Sequence, residues 1–363
     1  MLFTVQVYRG LAVLLVVLYH GTIIVANRYG IPPFFDIFRL GFSGVHLFFV
    51  LSGFIILTAH VKDIGVPGRL AWYVNRRLIR IYPIYWIIFF IWGGWRLISV
   101  KPDIKGFVLN ALLFMWKGEK LIIPVSWTLV YEIIFYAIFA VLVISKRIGV
   151  IVIVIWFVSI LLIKDKASHQ VLHPLNLMFI FGMTTAGLFF WIKKLNAGLR
   201  NIISVTSFVL GAMMFLGTAV YYSTLTVDKL IWSEHPVTII GFGIASALLI
   251  LASASESIEN FFMKRYLLVL IGNASYSIYL VHIQFEKIAF DAVKSVDLIW
   301  QEGGHGQIIS DMLLVFIVLV AVLCGIIIHL MIERPLLSFL RGMTNTTGRR
   351  MNICLSHSSR RAE

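Results

Sequence analysis

The 363-residue chain has few charged residues, and this scarcity excludes a water-soluble fold. Asp, Glu, Lys and Arg make up 13% of it, whereas an ordinary soluble domain carries about 25%. Hydrophobic residues make up 60%, and the mean hydropathy is +0.93. A folded body of this size has too little polar surface to be wetted by water. We infer that lipid surrounds most of the chain.

Cysteine and acidic residues are scarce as well. The two cysteines, one in an apolar run and one near the C-terminus, do not indicate a disulfide framework. The 17 acidic residues are outnumbered by 31 Lys and Arg, so the formal net charge is +14. Because the chain is too apolar for a soluble basic domain, we expect membrane lipid and no nucleic acid as a partner.

Long apolar runs predict an all-α, polytopic membrane protein with about ten transmembrane helices, since about 20 apolar residues cross the hydrocarbon core. The first run has no small-residue cleavage site after it, which favours an uncleaved helix over a signal peptide. The predicted spans are 7–26, 41–60, 81–99, 124–144, 148–163, 175–192, 201–222, 236–252, 267–287 and 310–332.

The distribution of Lys and Arg predicts that both termini are cytoplasmic. With this orientation, the inner loops and tail carry nearly twice as many Lys and Arg as the outer loops. The loops are short, so we expect a single membrane domain over residues 1–340. Residues 341–363, rich in Ser, Thr and Arg, are expected to form a disordered cytoplasmic tail near anionic lipid.

Several ionisable side chains fall inside the predicted spans, where they are costly and indicate a functional interior. A rise of 1.5 Å per residue places His20, Glu132 and His282 at a common depth, about 10 Å from the outer edge. His46 falls at a similar level. We therefore expect one polar cavity for these groups. A hydrogen bond between the helices of His20 and Glu132 is the structural alternative.

Arginines are expected on the cytoplasmic side of that layer. Arg9 and His20 are 11 residues apart, which puts them on one helix face about 16.5 Å apart. Arg77 and Arg80, next to Arg76, also share a helix face, and paired guanidinium groups can hold phosphates bidentately. An Arg cluster by itself is more often a positive-inside topology signal than a ligand site.

The polar and aromatic residues of the spans form six short motifs in order. They are Gln6–Ala12 followed by His20, Gly44–Phe54, Arg76–Pro83, Ser126–Tyr136, Gly272–His282 and Glu333–Pro335. In this order they resemble the membrane acyltransferase-3 family, the bacterial integral-membrane O-acyltransferases that modify surface polysaccharides. Tyr8 is a departure, because Leu is commoner there. The resemblance covers nearly the whole chain and agrees with the number of predicted helices.

The resemblance implies transfer of an acyl group, most often acetyl from acetyl-CoA, to a hydroxyl of a cell-surface glycan or its lipid-linked precursor. It implies the bacterial cytoplasmic membrane as the location, and no metal or tightly bound cofactor. His20 would act as general base or as transient acyl carrier. The implied catalytic residues are His20, Glu132, Arg9, Tyr276 and His282, and the implied donor-binding residues are Arg9, Arg76, Arg77 and Arg80.

A transporter and a structural scaffold are the two alternative classes of function. A proton-coupled transporter of an acylated or anionic metabolite would use the same His and Glu side chains as a relay. The sequence has no paired Gly- or Pro-interrupted spans in matching halves, the usual sign of such a site. A purely structural scaffold would leave His20, Glu132 and His282 without a role.

Overall fold

The computed structural model describes residues 2–99, 104–114, 121–162, 170–223, 235–293 and 306–343. Within these ranges the regular elements are helices, and no strand occurs. The predicted all-α fold is confirmed. Of the predicted C-terminal tail, 341–343 continue a helix, and 344–363 lie outside the described residues.

Each of the ten predicted spans falls on a helix. The helices are α1 (Phe3–Tyr29), α2 (Ser43–His60), α3 (Leu70–Ser99), α4 (Ile104–Ala111), α5 (Trp127–Ile144), α6 (Lys146–Leu162), α7 (Leu177–Ile192), α8 (Ala197–Ser223), α9 (Pro236–Leu251), α10 (Glu256–Met263), α11 (Tyr266–Ala292) and α12 (Gly306–Ile328). Among the described residues, eight helical stretches are long and apolar enough to cross a membrane. The predicted crossings by α3 and α6 are not among them and stay predictions.

Two helices extend beyond their predicted spans. α3 begins 11 residues before the span predicted at 81–99, so the arginines of the third motif lie on a helix and not in a loop. α12 continues through one π-helical turn, His329–Glu333, into a helix over 334–343. A π turn adds a residue to the helical repeat and rotates the helix beyond it. Both extensions carry charged side chains to the candidate site.

Close approach of helix backbones holds the bundle together. α11 packs most extensively against α1 and α12, while α2 pairs with α7 and α8 with α9. A Cβ atom on Gly272 of α11 would lie 1.9 Å from the carbonyl oxygen of Gln6 on α1. Likewise, a Cβ atom on Gly53 of α2 would lie 2.2 Å from the carbonyl oxygen of Phe179 on α7. Such small-residue contacts are how helices pack closely in lipid, where no hydrophobic effect drives them together.

Candidate functional site

A cavity of about 390 Å³ lies between α1, α2, α3, α5 and α11. Its arginine end is lined by side chains from the beginnings of α1 and α3 and from the last helical residues: Arg9, Arg76, Arg77, Arg80 and Arg341. Its opposite end, which we call the Thr128 end, lies at the beginnings of α2 and α5 and is lined by Val45, Thr128 and their neighbours. The volume is that of a small-molecule binding site.

The arginines differ in their partners. Arg80 forms an ion pair with Glu333, with 2.6 Å between Nη1 and Oε1. Arg9 instead donates to the side-chain oxygen of Gln6 at 3.1 Å, and Arg77 lies over the ring of Tyr136 at 5.7 Å. In the part of the chain that the structure describes, neither Arg9 nor Arg77 is ion-paired with a carboxylate. Their charges are therefore available to an anion.

Glu132 belongs to the cavity wall. It accepts hydrogen bonds from the hydroxyl of Tyr136 and, at 3.4 Å, from that of Ser52. The structural alternative considered from the sequence, a hydrogen bond between Glu132 and His20, is wrong. The partners of Glu132 are the hydroxyls of Tyr136 and Ser52. Glu132 thus faces the same space as the arginines.

His20 and His282 form a hydrogen-bonded pair between α1 and α11, with 3.1 Å between Nδ1 of His20 and Nε2 of His282. Nδ1 of His282 lies 2.8 Å from the carbonyl oxygen of Tyr279, and Nδ1 of His20 lies 2.9 Å from that of Val16. Because a carbonyl oxygen only accepts, these partners assign the proton to Nδ1 of each ring. His20 then donates to His282, and Nε2 of His20 remains as the basic nitrogen.

The prediction of one polar cavity for all four groups is wrong. The described side chains that line the cavity include Glu132 but neither His20 nor His282. His46 is fully buried against the rings of Phe42 and Phe242, at ring-centre distances of 5.8 and 5.1 Å. Depth along a helix axis is one coordinate only, and the rotation of each helix decides which neighbour a side chain meets.

Tyr276 lines the cavity, and its contacts are with α3. Its hydroxyl donates to the carbonyl oxygen of Ile81 at 2.7 Å, and its ring lies beneath Arg80 at 5.0 Å. It therefore supports α3 and the arginine end, and it does not orient His20. The carbonyl oxygen of Val16 accepts from Nδ1 of His20, and that of Tyr279 accepts from Nδ1 of His282.

Sequence reasoning missed three residues of the site: Glu333, Arg341 and Tyr279. Glu333 and Tyr279 lie within the sixth and fifth motifs, so a signal for them was present. Arg341 carried no signal, because no local pattern indicates that the last helix extends past the π turn. Only the continued helix brings Arg341 to the cavity.

The cavity and the histidine pair lie within a bundle of helices that are long and apolar enough to cross a membrane. This combination is typical of an integral-membrane enzyme, and comparison with known proteins gives its family. A family-wide profile described as an acyltransferase domain matches residues 4–331. The chain belongs to this acyltransferase family, as its motifs indicated, and is a multi-pass membrane protein.

One similar protein is the "Exopolysaccharide production protein ExoZ" of Rhizobium meliloti (strain 1021). The two chains are 27% identical over 329 residues, which cover 86% of this chain and 94% of ExoZ. No solved structure matches the chain.

Proposed function

We propose that the protein transfers an acyl group, acetyl from acetyl-CoA in the first instance, to a hydroxyl of a cell-surface polysaccharide or its lipid-linked precursor. Membership of the acyltransferase family supports the reaction class. The name of the similar protein, which refers to exopolysaccharide production, supports a polysaccharide as the acceptor. We propose the bacterial cytoplasmic membrane as its location.

The observation that carries the choice of donor is the arginine end of the cavity. CoA carries several phosphates at its nucleotide end, from which a long, thin pantetheine arm extends to the thioester. Arg9 and Arg77 form no ion pair with a carboxylate among the described residues, and guanidinium groups bind phosphates through paired hydrogen bonds. Arg76 adds a third charge at the same end. With the phosphates held there, the pantetheine arm extends along the cavity past Glu132 toward Thr128.

His20 provides the base in this proposal. A sugar hydroxyl is a weak nucleophile at neutral pH, and Nε2 of a neutral His20 takes its proton as the oxygen attacks the thioester carbon. The new C–O bond forms, the C–S bond breaks, and the proton passes from His20 to the sulfur of CoA. His282 stabilises the imidazolium form of His20 by accepting its Nδ1 proton in a hydrogen bond. An acyl-histidine intermediate on His20 is the other route.

The test uses purified protein in proteoliposomes with acetyl-CoA and surface glycan from cells that lack the gene. Wild type is expected to release free CoA much faster with glycan than without it, and mass spectrometry is expected to find an added acetyl group on the sugar. His20→Ala is expected to slow the reaction about 10² to 10⁴-fold, the usual contribution of a general base. His46→Gln, a change at another buried histidine, serves as the control.

Three outcomes separate the alternatives. Near-normal transfer by well-folded His20→Ala protein would refute both chemical routes. An acid-labile label from radioactive acetyl-CoA that depends on His20 would support the acyl-histidine route. Uptake of acetyl-CoA or glycan without CoA release would instead favour a transporter.

A further inference from the structure

Tyr279 lies between the cavity and the histidine pair. Its side chain lines the cavity. Its ring centre is 5.8 Å from that of His282, and its carbonyl oxygen is the acceptor that fixes the His282 tautomer. Tyr279 is buried, with 7% of its surface exposed, so its ring fills the space it occupies. The same residue thus touches both halves of the proposed site.

A hydrogen bond holds the Tyr279 ring in this position. Its hydroxyl is 2.9 Å from Oγ1 of Thr128, which is itself 3.0 Å from the carbonyl oxygen of Val125. Because that carbonyl can only accept, Thr128 donates to Val125 and can accept a hydrogen bond from the Tyr279 hydroxyl. The Tyr279 hydroxyl also lies 3.4 Å from the Val125 carbonyl oxygen and can donate to it. Phe48, which also lines the cavity, packs against the Tyr279 ring in an edge contact, with 5.8 Å between the ring centres.

The arrangement is incompatible with acyl transfer as it stands. Reacting atoms must approach to about 3 to 3.5 Å, and the base must lie within hydrogen-bond reach of the proton it takes. A thioester in the cavity has the Tyr279 side chain between itself and His282. The barrier is one aromatic side chain, held in place through its hydroxyl.

We propose that Tyr279 is a specificity-determining gate of the transfer reaction, held closed by Thr128 and opened for the acyl group to reach His20. This proposal rests on the proposed function. Closed, the gate keeps the donor thioester away from the imidazole pair, where water would otherwise attack it with the same base and give free acid and CoA. The gate therefore favours transfer to a hydroxyl over hydrolysis.

Two variants weaken the hydrogen bonding of the Tyr279 hydroxyl while keeping the shape of the barrier: Thr128→Val removes the shorter contact, and Tyr279→Phe removes both contacts. One hydrogen bond of this kind shifts an open–closed equilibrium by about fivefold to tenfold, so acetyl-CoA hydrolysis without glycan is expected to rise by about that factor in both variants. Tyr85→Phe is the matched control, because Tyr85 is also fully buried and donates to a carbonyl oxygen, that of Asn110, outside the cavity. Its hydrolysis rate is expected to equal that of wild type.

A second measurement does not depend on the identity of donor or acceptor. In protein whose native cysteines are replaced by Ala, His282→Cys places a thiol behind the gate. We expect a small methanethiosulfonate reagent to label it about fivefold to tenfold faster when Thr128→Val or Tyr279→Phe is added, and at an unchanged rate with Tyr85→Phe.

The two measurements have distinguishable failures. If wild type shows no glycan-dependent CoA release, the proposed function is wrong, whereas the labelling rates still test the gate. If folded Thr128→Val and Tyr279→Phe proteins give unchanged labelling and unchanged hydrolysis, the gate is wrong. Loss of transfer in Tyr279→Phe without faster hydrolysis or labelling would also overturn it, since the hydroxyl would then act on the substrate directly.

Discussion

Arg80 and Glu333, 253 residues apart in the chain, form an ion pair of 2.6 Å that joins α3 to the π turn after α12. The Glu333 side chain is fully buried, and its other oxygen accepts from Ser277 at 2.7 Å and from His329 at 2.8 Å. A buried carboxylate with three donors is well satisfied. The ion pair therefore fixes the Arg80 side chain at the cavity. Because one of its N–H groups already donates to Glu333, Arg80 has fewer donors left for a phosphate.

We expect Glu333→Gln to lower the midpoint of thermal unfolding in detergent. A double-mutant cycle with Arg80→Gln should give a coupling of about 1.5 to 3 kcal/mol, the range for a hydrogen bond to a charged group. Arg200 and Glu256 provide the control, because their ion pair measures 2.8 Å but Glu256 is 73% exposed. Their coupling is expected to stay below about 1 kcal/mol. Equal couplings for the two pairs would contradict the role given to burial.

Arg77→Gln is expected to weaken acetyl-CoA binding about tenfold to a hundredfold, the effect of losing charged hydrogen bonds to a phosphate. Arg77→Lys should restore it only in part, because Lys lacks the planar fork. Isothermal titration in detergent measures both. Arg69→Gln is the matched control, since its side chain is 56% exposed and does not line the cavity. If correctly inserted Arg77→Gln protein binds acetyl-CoA with wild-type affinity, Arg77 does not bind the phosphates and serves only as a topology signal.

His282 is expected to act as a positioning residue for His20. His282→Ala should lower kcat by about 10²-fold with little change in the KM for acetyl-CoA, because the donor site is separate from the pair. His282→Gln keeps a side-chain oxygen that can accept a hydrogen bond from Nδ1–H of His20, so it should recover part of the rate. A purely structural His282 would instead show losses that follow the amount of folded protein, with no recovery in His282→Gln.

The contact between α1 and α11 predicts a sharp difference between two glycines. Gly272→Ala places a methyl group 1.9 Å from the Gln6 carbonyl oxygen, so the helices must separate. We expect poor yield of folded protein or loss of transfer, since α1 and α11 carry the histidine pair. Gly187→Ala on α7 meets nothing within 4 Å and should be neutral or stabilising by up to about 1 kcal/mol. Size-exclusion profiles and activity per folded protein would show this, and a tolerated Gly272→Ala would contradict it.

The predicted orientation can be tested within the described residues. Gly68 and Asn27 are both exposed; Gly68 lies in the turn just before α3, and Asn27 lies near the end of α1. In a cysteine-free background, Asn27→Cys should react with an impermeant reagent in intact cells, and Gly68→Cys only after permeabilisation. The reverse pattern would place the arginine end of the cavity outside the cell and refute binding of cytoplasmic acetyl-CoA.

The sequence by itself determined the all-α membrane fold, the positions of the helices and the acyltransferase family. These follow from local properties, because about 20 apolar residues must form a helix in lipid and the motifs are read along the chain. The sequence also pointed to His20 and His282, since an ionisable group within an apolar span is costly wherever its neighbours lie.

Only the tertiary structure decided which of these groups meet. Depth along each helix was readable from residue counting, but helix rotation and neighbours depend on packing between distant segments, such as the contact of Gly272 with Gln6. That packing pairs His20 with His282. It places Glu132 in the cavity with the arginines, and the Tyr279 side chain lies between this cavity and the histidine pair. It also pairs Arg80 of α3 with Glu333, the last residue of the π turn after α12.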